Sequence, residues 1–166
     1  MTESIVVGLG GNVGSEAEIV ERFRRARDAF AELGEVTAAP LYRTAPIGPA
    51  QAAFLNSALR LRIADVQPSE LIATVLEIEH LLGRDRRGAA RFGPRPIDLD
   101  VLVWGDRVIA IPGLEVPHPR LLERRFALEP LVALAGEAFE IPGAGAAGAL
   151  LARVGDQQVE LVDERW

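Results

Sequence analysis

Two amino acids are missing from this 166-residue chain, and each absence closes off chemistry. Without cysteine there are no disulfides, thiol nucleophiles or cysteine metal sites. Without lysine, all eighteen basic residues are arginine. A Walker A loop and a protein-kinase site both need a lysine, so if this chain handles a nucleotide it does so with arginine and metal alone. No apolar run approaches the ~20 residues of a membrane span, and the N-terminus, with its acidic Glu3, lacks the positive start of a signal peptide. These features lead us to expect a cytoplasmic protein with no membrane partner. The net charge of −6 weighs against nucleic acid as a partner.

The length fits one domain, 1–166, and a content of 49% hydrophobic and 25% charged residues suffices for a real core. Ile5 to Gly10 reads as a short apolar strand, followed by the turn Gly10-Gly11-Asn12-Val13-Gly14. The glycine spacing there is wrong for a dinucleotide fingerprint; the turn is either a plain strand-to-helix connection or a ligand contact. Ser15 and Glu18 form a capping box for a helix whose buried face is Ile19, Phe23, Ala26, Phe30 and Leu33, closed by Gly34 in the left-handed conformation. Val36 to Arg43 reads as a second strand and Phe54 to Ile63 as a third. Pro68 opens a second helix with the stripe Leu71, Val75, Ile78 and Leu82, ended by Gly83. Glu79 sits near its C-terminus, where the helix dipole disfavours an anion, so an arginine of the following loop or a ligand must lie close; Arg86 and Arg87 are candidate partners. His80 reads as a surface residue.

A fourth strand, Asp98 to Trp104, begins with two aspartates two residues apart. Strand side chains alternate, so Asp98 and Asp100 share a face roughly 7 Å apart. A divalent cation, or a pair of them, relieves the repulsion, since Mg²⁺ is commonly held by one or two carboxylates plus substrate phosphates. Just upstream, Arg84, Arg86, Arg87, Arg91 and Arg95 crowd one glycine-containing loop. Guanidinium forks take phosphate oxygens bidentately, so metal carboxylates beside an arginine loop suggest a polyphosphate site. The alternative is an arginine loop salt-bridged to an exposed aspartate pair. Gly105-Asp106 reads as a hairpin turn, Leu128 to Leu134 as a packing helix, Gly143 to Gly148 as a small-residue linker, and the tail to Trp166 as peripheral packing. Strand, helix, strand, strand, helix, strand with C-terminal additions is the ferredoxin-like βαββαβ pattern: α+β, an antiparallel sheet with helices on one face.

The run Arg91-Phe92-Gly93-Pro94-Arg95-Pro96-Ile97-Asp98-Leu99-Asp100-Val101-Leu102 resembles the signature of the 6-hydroxymethyl-7,8-dihydropterin pyrophosphokinases of folate biosynthesis. That signature is a basic residue, a spacer, Gly-Pro-Arg, two spacers, Asp-Leu-Asp and two aliphatics, and every fixed position is present. The resemblance weakens after about Pro142. It implies transfer of pyrophosphate from ATP, the co-substrate, to the hydroxymethyl group of the pterin, with two Mg²⁺ on Asp98 and Asp100 and with Arg84 and Arg95 as catalytic groups. It implies nucleotide contacts from Glu79, Arg84, Arg91, Phe92, Arg95, His118 and Arg124. It implies a pterin pocket of Thr44, Ala45, Ile47, Phe54, Asn56 and Phe126, in which the two phenylalanines sandwich the ring and the Asn56 amide reads its edge. The residues alone leave a structural role for Asn56 open, and the loop Thr44–Pro49 reads equally as a connection between strands. The sequence departs from the family at Gly11, where serine is usual, at Phe54, where tyrosine is, at Phe92, where tryptophan is, and in an arginine loop one residue longer. The expected partners are small molecules and the expected state a monomer. The rival readings are a non-catalytic module that binds a phosphorylated metabolite and a metal-dependent phosphohydrolase.

Overall fold

The computed structural model describes residues 2–46, 50–85, 87 and 93–166. Strand β1 (Thr2–Gly11) leads to helix α1 (Glu16–Ala31), then β2 (Glu35–Ala38), β3 (Leu41–Thr44), β4 (Phe54–Ala64), helix α2 (Pro68–Leu81) and β5 (Asp98–Trp104). The short strands β6 (Ile109–Ile111) and β7 (Leu114–Val116) precede α3 (Arg125–Ala135), β8 (Glu140–Ile141), β9 (Gly145–Ala146), α4 (Ala147–Arg153) and β10 (Val159–Asp163). The fold is α+β, with a six-stranded antiparallel sheet in the order β10-β3-β4-β1-β5 and β2 also on β4. Among the described residues no helix is long and apolar enough to cross a membrane.

Local signals account for most elements. The Ser15 side chain accepts from the Glu18 N–H, and the Glu18 carboxylate accepts from the Ser15 N–H, so the expected capping box opens α1. The single strand expected over 36–43 is broken at Ala39-Pro40, because proline has no N–H for the ladder; β2 and β3 still pair with successive parts of β4. At the end of α2, the Gly83 N–H donates to the His80 carbonyl and the Arg84 N–H to that of Glu79, with Gly83 at φ +98°. This is a Schellman closure, and it turns the chain so that Arg84 folds back beside Glu79.

The sheet carries apolar residues on both faces. Ile5, Val7, Leu9, Leu59 and Val101 pack under α1 and α2. Val6, Ala58, Leu102 and Val103 face the other way, onto Leu128 and Leu131 of α3 and Leu150 of α4. The helices therefore cover two faces and not one, and the C-terminal additions supply the second layer. The supposed linker, Gly143 to Gly148, is the β8–β9 turn and the first residues of α4. Positive φ at Gly143 and Gly145 allows the turn, and a Cβ on Gly148 would lie 2.7 Å from the Glu137 Cβ. The tail is not peripheral either. Strand β10 pairs with β3, Arg43 joins Glu16 to Glu160, and the Trp166 indole N–H donates to the Ala39 carbonyl. Gly105 turns the chain as expected, but no hairpin with β5 follows, because β6 pairs with β7.

Two expectations about α1 fail together. The helix stops at Ala31, so Leu33 is 43% exposed, and Gly34 is not in the left-handed region. Gly34 is instead a point of close backbone approach: a Cβ there would lie 2.2 Å from the Arg62 carbonyl oxygen of β4. Gly34→Ala must push two backbones apart and should cost about 2–3 kcal/mol. Thermal unfolding should then show a fall in Tm of roughly 4–12 °C; an unchanged Tm would mean that the connection yields freely.

Candidate active site

β1 lies between β4 and β5 and runs antiparallel to both, so the end of β1 meets the starts of its two neighbours. Gly10 is in register with Asn56 on one side and Asp98 on the other. The residues that read as chemically interesting are therefore gathered at one edge of the sheet. Thr44, Ala45, Phe54, Asn56, Arg95, Asp98, Asp100, His118, Arg124 and Phe126, all named from the sequence, line a single cavity.

On the β4 side, the buried Asn56 amide donates to the Thr44 hydroxyl at 2.8 Å, which holds the side chain at the cavity wall. Phe54 and Phe126 border the same space from different elements, and the Arg124 guanidinium sits 5.4 Å from the centre of the Phe126 ring. On the β5 side, Leu99 is buried while Asp98 and Asp100 both open into the cavity, as strand alternation requires. Arg84 Nη1 reaches one oxygen of Asp98 at 2.6 Å and Arg95 Nη1 the other at 2.7 Å. Burial opposes the charge on Arg84, yet the carboxylates of Asp98 and Glu79 raise its pKa.

Glu79 is 1% exposed and does not line the cavity. Its Oε2 accepts from Arg84 and from the Leu99 N–H at 2.9 Å, so it sits behind the site and holds the head of β5 to the end of α2. Among the described residues, Arg84 is an arginine of the following loop that pairs with it. His80 is exposed, as expected. Ile47, Arg91 and Phe92 lie outside the described residues, as do Arg86, Gly48 and Pro49.

His118 enters from the segment after β7. Its Nδ1 accepts from the Arg120 N–H at 3.1 Å, which leaves the ring proton on Nε2, and Nε2 faces Asp100 Oδ1 at 3.8 Å. Burial, then the nearby Arg124, lowers the His118 pKa, so at neutral pH the ring is an uncharged donor. A second cleft adjoins the first and shares Asp100 and His118 with it. Ile72 and Leu76 of α2, Val101 of β5, and Ile111 and Leu114 of the β6–β7 ribbon give it largely apolar walls, with Glu115 beside them.

Sequence reasoning missed this cleft, as well as Arg120 and Glu123 at the rim of the first cavity. The cleft joins a helix to a distant ribbon, and no local pattern marks it. Among the described residues no three His, Cys, Asp or Glu side chains cluster as a ready-made metal site. Asp98 and Asp100 supply two carboxylates, the set that suits a cation whose remaining ligands come from water and phosphate.

Burial, then the charge of Asp98, raises the Asp100 pKa to about 7. The unfolded chain ionises this group near 3.8, the ordinary value. Between those pH values the folded state holds a proton that the unfolded state gives up, so stability from this group is lost as pH rises towards 7. Asp100→Asn mimics the protonated form and should stabilise the ligand-free protein. The side chain is 36% exposed, so solvent screening trims the gain to about 1 kcal/mol. We expect Tm to rise by roughly 2–4 °C at pH 8 and the difference to shrink towards pH 5; a gain that grew on acidification would contradict the assignment.

A family model described as 7,8-dihydro-6-hydroxymethylpterin-pyrophosphokinase (HPPK) matches residues 6–136. The 2-amino-4-hydroxy-6-hydroxymethyldihydropteridine pyrophosphokinase of Pseudomonas aeruginosa is 39% identical over 139 residues, covering 81% of this chain and 82% of that protein. The protein of the same name from Synechocystis is 37% identical over 136 residues, covering 78% of this chain and 65% of that one. A folate synthesis bifunctional protein of Arabidopsis thaliana is 39% identical over 137 residues, 81% of this chain, but the match spans only 27% of that longer protein. A crystal structure of Plasmodium falciparum HPPK-DHPS has the same fold, with a TM-score of 0.69 at 13% identity over 92% of this chain and 45% of that one. With the model matching most of its length and the signature at the head of β5, the chain belongs to the 7,8-dihydro-6-hydroxymethylpterin-pyrophosphokinase family.

Proposed function

We propose that this chain transfers pyrophosphate from ATP to the 6-hydroxymethyl group of 6-hydroxymethyl-7,8-dihydropterin, a step in folate biosynthesis that releases AMP. The observation that carries the reading is the shared cavity: Asp98 and Asp100 open into the same space as Thr44, Phe54, Asn56 and Phe126. One half offers flat aromatic faces and a buried amide, which suit a heterocycle with donors and acceptors on its edge. The other half offers carboxylates and guanidinium groups, which suit a metal-bound triphosphate. The adjoining apolar cleft suits the nucleotide base, and the two clefts meet at Asp100 and His118.

In this reading the substrate hydroxyl is the nucleophile, so no side chain forms a covalent intermediate. A bond forms from that oxygen to the β-phosphorus, the bond to the α,β-bridging oxygen breaks, and the hydroxyl proton is released. Asp98 and Asp100 would hold two Mg²⁺, which would neutralise phosphate charge and help to orient the chain of phosphates. Arg84 and Arg95 stabilise charge on the moving diphosphate and the bridging oxygen. His118, neutral with its proton on Nε2, donates to a phosphate oxygen. Arg124, at the cavity wall over Phe126, adds a fixed positive charge between the two substrates. We read Glu79 as the support of Arg84, and Arg91, Phe92 and Ile47 as further substrate contacts. The first six elements, with β2 and β3 counted as one broken strand, we read as ferredoxin-like in one domain, 1–166, working as a cytoplasmic monomer.

AMP formation measured with and without the pterin tests the assignment against a phosphohydrolase, which needs only water, and a binding module, which consumes no ATP. We expect AMP only when both substrates are present; AMP release from ATP alone at the same rate would refute the transfer. Asp100→Ala should reduce kcat at saturating Mg²⁺ by about 10³-fold or more, by analogy with the loss of a key electrostatic group. Near-normal turnover would remove Asp100 from the metal site. Arg95→Ala should lower kcat more than pterin affinity, and a loss confined to pterin binding would move Arg95 into the pterin pocket.

A further inference from the structure

Asn12 stands one residue beyond the end of β1 and is 4% exposed. A polar side chain this deep must have its hydrogen-bonding groups satisfied. Asn12 satisfies them on two sides at once. Its Nδ2 donates to the Gln51 side-chain oxygen and to the Ala52 carbonyl, both at 2.9 Å. Its Oδ1 accepts from the Arg95 N–H at 2.8 Å, and its own N–H donates to the Arg95 carbonyl at 2.9 Å. The amide orientation follows from the partners, since a main-chain carbonyl can only accept and a main-chain N–H can only donate.

These contacts fall at informative points of the chain. Ala52 lies two residues before Phe54, and Arg95 three residues before Asp98. Asn12 therefore ties the entry to the aromatic-and-amide half of the cavity to the entry of the carboxylate half, across the end of the strand between them. The neighbouring backbone is built for this closeness. A Cβ on Gly11 would lie 2.8 Å from the Pro96 carbonyl oxygen, and Arg22 donates to the Val13 and Pro96 carbonyls.

We infer that Asn12 is a positioning residue that sets the main chain of Arg95 and couples it to the Gln51–Ala52 segment, so that the two substrate halves of the site are ordered together. Order imposed on one side by a ligand is transmitted to the other through one buried amide, and binding of the first substrate strengthens binding of the second. The substrate identities rest on the function proposed above; the link between the two segments does not.

Asn12→Asp separates the two sides. One carboxylate oxygen still accepts from the Arg95 N–H, while the other faces the Ala52 carbonyl with no proton to give, and Gln51 must turn its amide to donate. Calorimetry should show pterin affinity lowered about tenfold, and affinity for a non-hydrolysable ATP analogue with Mg²⁺ changed less than about twofold. Asn12→Ala removes both sides, so kcat should also fall by about tenfold or more and the analogue should cease to strengthen pterin binding. Gln51→Ala, on a partly exposed side chain, carries little folding risk and should give a milder form of the Asn12→Asp pattern. A double-mutant cycle with Asn12→Ala should be non-additive. Hydrogen exchange at the Arg95 amide, which donates to Asn12 Oδ1, gives a readout independent of turnover, and protection there should drop in Asn12→Ala and stay in Asn12→Asp. Variants that lower Tm but leave both affinities, their coupling and kcat within twofold of wild type would reduce Asn12 to a purely structural residue. If the wild type releases no pterin-dependent AMP, the proposed reaction falls, and the exchange pattern still decides the role of Asn12.

Discussion

A carboxylate buried at the C-terminal end of a helix is in a poor place, because the helix dipole and the loss of water both oppose its charge. Glu79 occupies that place, and the site is arranged around its compensation. Its oxygen takes the Arg84 guanidinium and the Leu99 N–H. Those two bonds fasten the chain leaving α2 to the head of β5. Arg84 then continues to Asp98, and Arg95 reaches the other oxygen of the same carboxylate. Glu79 and Arg84 lie at the buried end of this chain of ion pairs, and Asp98 and Arg95 at the end that opens into the cavity. Removing either partner of such a pair strands a charge, which costs far more than the pair itself contributes. The gain lies in placement: one oxygen behind the cavity fixes an arginine and a strand at its edge.

Placement on this scale depends on the sheet. Because β1 runs against both neighbours, its glycine-rich end lies beside Asn56 and Asp98 at the same level. Gly8 and Gly10 keep that end thin enough to leave a cavity, which they help to line. A Cβ on Gly8 would press to 3.3 Å from Leu102. The second cleft arises from a different juxtaposition, between α2 and the β6–β7 ribbon, and adjoins the first at Asp100 and His118, which line both. The Asp100 pKa of about 7 follows first from its burial in this crowded end of the sheet and then from the charge of Asp98 on the same strand face.

Features encoded within a few residues are legible in the order of the amino acids. Strand alternation puts Asp98 and Asp100 on one face, the Ser15–Glu18 pair caps α1, and the period of Leu71, Val75 and Ile78 gives the buried side of α2. Glu79 is legible as a charge in need of a partner, but the approach of Arg84 is not, because it turns on a Schellman closure that brings that arginine back beside the helix end. Gly34 misleads for a related reason. A glycine after a helix fits a left-handed cap by pattern, while here it is the Arg62 carbonyl, 28 positions away in the chain, that forbids a side chain.

The sequence by itself determined the alternation, the Ser15–Glu18 cap, the absence of lysine chemistry and the twelve-residue signature, because each is legible along one segment. Only the tertiary structure decided that the C-terminal segment forms a second layer and an edge strand, that a second cleft adjoins the first, and that Asn12 joins two segments lying 39 and 83 positions away. Those outcomes depend on which strands neighbour one another, and a pairing between distant strands leaves its mark in hydrogen bonds and excluded volume, not in any local order of residues.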